Sequence, residues 1–495
     1  MKLHINGDIN EYYVQTLCMI FFPGEKFSGE EIEGEPVLHL DLTEEPDVIR
    51  ARAELHYQGK ESVAEREIVL TGEFTKDRSR KLVVGHAILT AAGDLLHYRP
   101  SWGMLTGVRP SKVATELLLS GMSKTKARKA LNHHYMVIPK KAALATDVAI
   151  REQQIIGTPD KRDCSVYISI PFCPSRCAYC SFVSYTSKRL LDLIPEYLER
   201  LKEDIRSNFN TIKKLGLNVR TVYIGGGTPT MLTEDQLRDL LSFVAEQTDV
   251  TALDEYTLEA GRPDTITEEK FRIAAEYGVT RVSVNPQSLS DDVLYGVGRK
   301  HTTEDFFRAY ADARKAGIRT VNVDLIAGLP GDNFKRFSAT MDKIISLAPE
   351  NITVHTFCVK KAADILRNNS DIYSVKGGDA GKCVDYSQIK AQQAGYIPYY
   401  MYRQKNTVGN YENVGFALEG HEGLYNIYMM EEIHSIFAAG AGAVTKLVDN
   451  LGATGDKRNI ERLFHQKYPY EYLTEDRCAA FAEAAEKFYA EHSML

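Results

Sequence analysis

Cys173, Cys177 and Cys180 lie in the stretch Cys173-Pro-Ser-Arg-Cys177-Ala-Tyr-Cys180, directly after the apolar run 166–170. Three thiolates on so short a loop can hold three irons of a [4Fe–4S] cluster and leave the fourth iron open to a substrate or cofactor. A cluster that only carries electrons would use a fourth cysteine, and a structural zinc would need a fourth Cys or His nearby. Neither is present locally. The spacing points to chemistry at an open iron.

The rest of the composition fits an enzyme in a reducing compartment. Eight cysteines in 495 residues are no disulfide framework, and Cys18, Cys164, Cys358, Cys383 and Cys478 lie apart from the trio without regular spacing. With 67 acidic against 60 basic residues, the chain does not read as a nucleic-acid binder. Residues 1–30 mix Lys2, Asp8, Glu11 and Glu25 among apolar positions, so no signal-peptide core is seen, and no apolar run is long enough to span a bilayer. A cytoplasmic location is expected.

The elements that must position the cysteines are legible in the middle third. Short β-branched runs recur at 166–170, 221–224, 256–259, 281–284, 320–325 and 352–357, with helical patterns between them at 190–215, 234–247, 268–277, 303–316 and 334–347. Strand–helix alternation of this kind builds a parallel sheet. Six units are too few for a closed eight-stranded barrel, so an open α/β partial barrel, (β/α)6, is expected, with ligands at the carboxyl ends of its strands. Residues 1 to about 90 alternate like strands at 53–57 and 67–70 and predict a small α+β domain. Helices are expected at 111–121 and 124–133, around Gly121-Met-Ser123, and again at 141–156. In an acidic chain that tight pair reads as packing rather than as a DNA-reading motif. The expected domains are 1–155, 160–360 and a mostly helical C-terminal extension, 361–495.

A second chemical feature is Tyr223-Ile-Gly-Gly-Gly-Thr-Pro-Thr230, glycines directly after the second strand. Alone such a run is a tight turn or a phosphate cradle, and it lacks the Lys-Ser/Thr of a P-loop. Glu259 closes the third strand, and a carboxylate ending an apolar strand needs a partner.

Together these segments resemble a known family. Tyr167-Ile-Ser-Ile-Pro-Phe-Cys173, Gly225-Gly-Gly-Thr-Pro229, Arg281-Val-Ser-Val-Asn-Pro-Gln-Ser288, Gly298-Arg-Lys-His301 and Val323-Asp-Leu-Ile-Ala-Gly-Leu-Pro330 look like the oxygen-independent coproporphyrinogen III oxidases of the radical S-adenosylmethionine (SAM) superfamily. Trp102-Gly-Met-Leu-Thr-Gly-Val-Arg-Pro110, Tyr402-Arg-Gln-Lys-Asn406, Gly409-Asn-Tyr-Glu-Asn-Val414, Glu431-Glu432 and Gly440-Ala-Gly442 are similar to its HemZ-type coproporphyrinogen dehydrogenase branch, which carries an extra N-terminal domain. The resemblance implies a [4Fe–4S] cluster on Cys173, Cys177 and Cys180, and one or two SAM molecules. Gly226, Gly227 and Thr228 would meet the methionyl part, Tyr179 the adenine, and Glu259, Gln287, Arg299 and Asp324 the remaining polar groups and ribose. Tyr167 would stand beside a second SAM and the substrate, and Cys358 would offer a backbone contact.

The implied reaction is oxidative decarboxylation of coproporphyrinogen III to protoporphyrinogen IX in haem biosynthesis. A 5′-deoxyadenosyl radical takes a hydrogen from each reacting propionate because no acid–base group can remove an unactivated C–H. A flavodoxin or ferredoxin-type donor would supply electrons to a monomeric enzyme. Arg299, Arg403 and Lys405 are candidate propionate anchors, and the C-terminal domain would lie on the substrate side. The chain departs from the family pattern at Phe182, where a fourth cysteine is common, at Ser169, often a histidine, and at Asn285-Pro286, where a glycine is common. The first two touch the substrate side and the third is shared with the HemZ-like branch, so two related readings stand beside the oxidase: a haem chaperone, with His421 and His434 as axial ligands, and a haem-opening methyltransferase.

Overall fold

The computed structural model describes residues 1–180, 182–358, 378–404, 407–449 and 459–492. They form two compact units. One gathers Met1–Ile150, Thr356–Val384 and Met401–Asn413; the other gathers Arg151–His355, Asp385–Tyr400 and Val414–Leu495. The units therefore differ from three consecutive blocks, because the returns 356–384 and 401–413 group with the N-terminal part.

The first unit is built on a four-stranded sheet, β1 (Lys2–Asn6), β2 (Val37–Glu44), β3 (Val48–Tyr57) and β4 (Lys60–Val69), with β1 parallel to β2 and the rest antiparallel. Its period-2 pattern buries Leu38, Leu40 and Leu42 of β2 and Ile49, Ala51, Ala53 and Leu55 of β3 on one face, against the helix Lys76–Leu96. The expected helix pair is present as Ser111–Leu119 and Lys124–Tyr135, and the second is N-capped by the Ser123 hydroxyl. Its Ala127, Ala130, Leu131 and Tyr135 are buried, and Arg78 donates to the Tyr135 hydroxyl. The pair is a packing element within the unit.

The second unit carries the expected parallel strands: β5 (Asp163–Ile170), β6 (Asn218–Gly226), β7 (Glu255–Leu258), β8 (Arg281–Ser283), β9 (Thr320–Ala327) and β10 (Asn351–Thr356). They lie side by side in chain order. Helices such as Ile194–Lys214, Glu234–Gln247 and Phe334–Leu347 connect them. The C-terminal part contains the helices Ala380–Gln393, Leu424–Met430, Pro469–Thr474 and Cys478–Glu491, and it also extends the sheet at both edges. β11 (Ile397–Tyr402) and β12 (Asn413–Ala417) join beyond β10. β13 (Ser435–Ala439) runs parallel to β5, followed by β14 (Val444–Val448) and β15 (Ile460–Phe464).

Register sorts the two faces of the parallel sheet. Val166, Ile168, Val222, Ile224, Leu258, Val282, Val321 and Val323 belong to an apolar face, as a sheet covered by helices requires. Alternate positions are polar: Tyr167 and Ser169 on β5, Tyr223 on β6, Thr257 on β7 and Glu259 after it, Arg281 and Ser283 on β8, and Asn322 and Asp324 on β9. A polar face inside a folded unit costs stability unless it is hydrogen-bonded or meets a ligand. That face leads to the cysteine loop.

Candidate active site

The loop after β5 is closed on itself. Phe172 bridges Tyr185, Cys173 N–H donates to the Tyr185 carbonyl at 3.0 Å, and Tyr185 N–H donates to the Pro171 carbonyl at 2.8 Å. Phe172 is buried edge-on against Tyr197, which fixes the residue before the first cysteine. The turn is tied to the segment after the helix Asp291–Gly296: Ala178 N–H donates to the Val297 carbonyl at 3.0 Å and Ser175 Oγ to the Gly298 carbonyl at 3.0 Å. Cys173 and Cys177 are buried and Cys180 is half-buried. Burial pushes the Cys173 thiol up to about 11, only partly opposed by its 3.2 Å contact with the Thr228 hydroxyl. A metal is what would hold such a thiol deprotonated.

Three ligands of one ion crowd together, whereas three corners of a cubane cluster stand apart. Among the described residues, the triplets whose ligand atoms lie within 4.8 Å of one another are His4/Glu31/His39 and Glu54/His56/Glu61. Cys173, Cys177 and Cys180 do not form such a triplet, and three thiolates suit an open-iron cluster better than a structural zinc.

The glycine run is pressed against this loop. Gly227 N–H donates to the Ile170 carbonyl and Thr228 N–H to the Phe172 carbonyl, each at 2.8 Å. A Cβ on Gly227 would come within 2.6 Å of the Phe172 oxygen and 3.0 Å of Cys173 Sγ. Gly226 adopts φ +108°, in a region that side-chain-bearing residues avoid, and a Cβ there would meet Ser169 Oγ at 3.0 Å. The glycines let this turn pack directly against the cysteine loop, and Gly226 and Gly227 stay half-buried there, with part of their backbone surface open.

On the polar face, Tyr167, Tyr223 and Tyr425 stack, with ring centroids 6.0, 4.7 and 6.2 Å apart. Tyr167, Tyr223, Glu259 and Asp324 each keep part of their surface open although they sit deep in the unit, so they border internal space. Burial first, and then the Asp324 charge, pushes the Glu259 carboxyl up to about 8; hydrogen bonds from Gly226 N–H and the Tyr223 hydroxyl pull the other way. Burial would also raise Asp324, but hydrogen bonds from His355, Asn322 and Thr353 outweigh it and hold that carboxyl below its usual range. Asn285 donates to Asp324 at 2.8 Å and accepts from its N–H at 3.2 Å. Gln287 takes φ +67°, rare for a non-glycine, and its buried Oε1 has no hydrogen-bond partner among the described residues. A strained residue with an orphaned amide oxygen faces a ligand in many sites.

The other expected residues are placed differently. The Arg299 guanidinium is engaged internally, donating to the Tyr179 hydroxyl at 2.9 Å, the Gly261 and Asn285 carbonyls at 2.7 and 2.8 Å, and His301 Nδ1 at 3.1 Å. It orients Tyr179 and is not a free anchor. Arg403 lies in the first unit, buried, donating to the Leu105 carbonyl and Asn410. Cys358 is also in the first unit, bridging Thr407. Lys405 lies outside the described residues. His434 Nδ1 is 3.0 Å from Ser165 Oγ and His421 Nδ1 is 2.8 Å from Thr320 Oγ1, both at the amino ends of strands, opposite the cysteines. Three features were not read from the sequence: Tyr223 and Tyr425 in the stack, Asn285 against Asp324, and Arg262 beside Cys177. A polar residue at every second position of the middle strands was the available signal.

The Radical SAM superfamily profile matches residues 167–344. The oxygen-independent coproporphyrinogen-III oxidase-like protein HemZ of Bacillus subtilis is 37% identical over 404 residues, 79% of each chain. This chain belongs to that HemZ-type family of radical SAM proteins. A second relative, the heme chaperone HemW of Bacillus subtilis, is 30% identical over 62% of this chain and 77% of its own. The solved coproporphyrinogen III oxidase HemN of Escherichia coli aligns over 67% of this chain and 72% of its own, with 18% identity and a TM-score of 0.47. As in its superfamily, the cofactors of this HemZ-type chain are a [4Fe–4S] cluster and SAM. The donor set, the backbone cradle at Gly226–Gly227 and the orphaned Gln287 oxygen fit that pair.

Proposed function

We propose that the chain removes CO₂ from two propionates of coproporphyrinogen III to give the vinyl groups of protoporphyrinogen IX. The observation that carries this reading is the interior face that ends at the cysteine loop: three stacked tyrosines beside a carboxyl poised near neutrality, bordering open space. Stacked aromatic faces suit a large, π-rich, partly polar substrate. The HemZ relationship over 79% of each chain supports it. Bound cluster and SAM supply a species able to take a hydrogen atom from an unactivated carbon.

In this reading Cys173, Cys177 and Cys180 hold the cluster. Gly226, Gly227 and Thr228 bring backbone to the methionyl part of SAM, and Glu259, Gln287 and Asp324 meet its polar groups. Arg299 holds Tyr179 upright beside the adenine. Tyr167, one of the three clustered rings, stands against the substrate, or against a second SAM beside it. Loss of hydrogen from the propionate β-carbon lets the bond to the carboxylate break; CO₂ leaves, a vinyl group remains, and one electron passes to a one-electron acceptor. Eight cysteines with no disulfide framework suit a reducing cytoplasm, with a flavodoxin or ferredoxin-type donor and a monomeric chain.

Anaerobic incubation of the reconstituted protein with reductant, SAM and coproporphyrinogen III tests the proposal. Release of CO₂ with formation of vinyl-bearing tetrapyrrole and matching 5′-deoxyadenosine is expected. Stoichiometric haem binding with no CO₂ would favour a chaperone, and S-adenosylhomocysteine in place of 5′-deoxyadenosine a methyltransferase.

A further inference from the structure

Arg262 follows Glu259 by three residues and is only 4% exposed. Its Nε and Nη2 grip the Asp264 carboxylate at 3.0 and 2.9 Å. Nη1 reaches the cysteine loop, donating to Ser175 Oγ at 3.1 Å and the Ser175 carbonyl at 3.4 Å, and lies 3.6 Å from Cys177 Sγ. The carboxylate takes one edge of the fork and leaves another edge for the sulfur, which a lysine ammonium cannot do. Asp264 therefore aims the guanidinium, and its position does not depend on attraction to the cysteine.

A buried cation beside a cluster ligand has a calculable sense. Each electron added to an iron–sulfur cluster adds negative charge, and a nearby positive charge or N–H donor on a ligating sulfur favours the reduced form. The bland alternative is a structural ion pair that closes the turn after β7 and only incidentally touches the loop. The three contacts of Nη1, to Ser175 Oγ, the Ser175 carbonyl and Cys177 Sγ, go beyond what such a pair requires.

We propose that Arg262 is a positioning residue for the cluster, pinning the Cys177 turn and raising the cluster's reduction potential through its charge. This rests on the assignment of the cluster to Cys173, Cys177 and Cys180, and it adds a residue that acts through Cys177 on how readily the donor delivers an electron.

The full chain, reconstituted anaerobically, is titrated with reductant while the reduced cluster is followed by electron paramagnetic resonance. In Arg262→Gln the iron and sulfide content should match wild type, while the reduced-to-oxidised ratio at a given potential falls about tenfold, ~59 mV for one electron. Arg262→Lys should recover more than half of that shift, since it returns the charge without the fork. A wild-type midpoint in an Arg262→Gln protein with intact cluster would overturn the inference. So would equal loss of iron in the Gln and Lys variants, which would mean that shape and not charge is what matters. A wild-type chain that takes up no cluster would instead overturn the cluster site itself, a separate and recognisable failure.

Discussion

Glu255 and Glu259 sit at opposite ends of one strand, on the same inward face, and their surroundings could hardly differ more. At the amino end, Glu255 accepts the backbone N–H groups of Leu424 and Tyr425 at 2.8 and 3.2 Å, closing the start of a short helix. At the carboxyl end, Glu259 borders open space, its carboxyl raised to about 8, near half-buried glycines and an amide oxygen without a partner among the described residues. Further pairs at the amino ends, Ser165 with His434 and Thr320 with His421, are likewise internal. One end of the sheet is finished by protein, and the other is left for a ligand to finish.

The largest expected effect tests whether the carboxyl end is the cofactor end. Replacing Cys173, Cys177 and Cys180 together with Ala should abolish bound iron, and any one replacement should remove most of it. Cys18→Ala and Cys478→Ala should leave iron content unchanged, because neither lies on the cysteine loop: Cys18 is buried in the helix Glu11–Phe21 and the Cys478 thiol donates to Asp204 at the start of the helix Cys478–Glu491. Iron surviving the triple replacement would place the cluster elsewhere.

A smaller region is probed by Gly226→Val. A β-branched residue at φ +108° carries strain of about 1–3 kcal/mol, and its Cβ would press on Ser169 Oγ and the Ile170 backbone, shifting the turn that borders the cysteine loop. Cluster absorbance should persist while reductive SAM cleavage falls by orders of magnitude. Normal 5′-deoxyadenosine output from this variant would move the SAM site away from the glycine run.

Glu259 sharpens the comparison through pH. Its folded pKa, about 8, exceeds the unfolded value near 4.3, so the folded chain keeps a proton that the unfolded chain has lost between those limits. Stability tied to this group is full below about pH 4.3 and declines as pH rises toward 8. Glu259→Gln, which cannot ionise, should lose less stability than wild type between about pH 5 and 8, by a few kcal/mol at most, in chemical denaturation of SAM-free protein. Parallel curves for the two proteins would show that Glu259 is solvated. The smallest effect belongs to the finished end: His421→Ala and His434→Ala should leave cluster content and SAM cleavage unchanged, and any haem affinity with them.

The strand positions of the middle third were legible because each β-branched run is short and bounded by glycines or helical pattern; three of the six runs fall inside strands, and the other three, 256–259, 281–284 and 352–357, each extend one residue past β7, β8 and β10. β13 was not legible. It pairs with β5 across some 270 residues of sequence, and nothing local to Ser435–Ala439 says which edge it will join. Spacing exposed the cysteines, whereas Tyr425 enters the stack from a short helix remote in the chain. Arg299 shows the opposite limit. Its charge and position near the strand ends suggested a ligand contact, but only coordinates reveal that four internal acceptors engage the guanidinium. Arg262 was visible as Arg262-Pro-Asp264, yet the sequence does not show that this turn closes over Cys177.

The central claim, that the open end of the sheet directs hydrogen removal from a propionate, is tested most directly by isotope transfer. Coproporphyrinogen III deuterated at the propionate β-carbons is incubated anaerobically with reductant, SAM and the reconstituted protein, and the 5′-deoxyadenosine formed is weighed by mass spectrometry. Deuterium in 5′-deoxyadenosine, with CO₂ released in step and both lost in Tyr167→Ala while the cluster remains, is the predicted result. Unlabelled 5′-deoxyadenosine alongside untouched coproporphyrinogen would contradict the account.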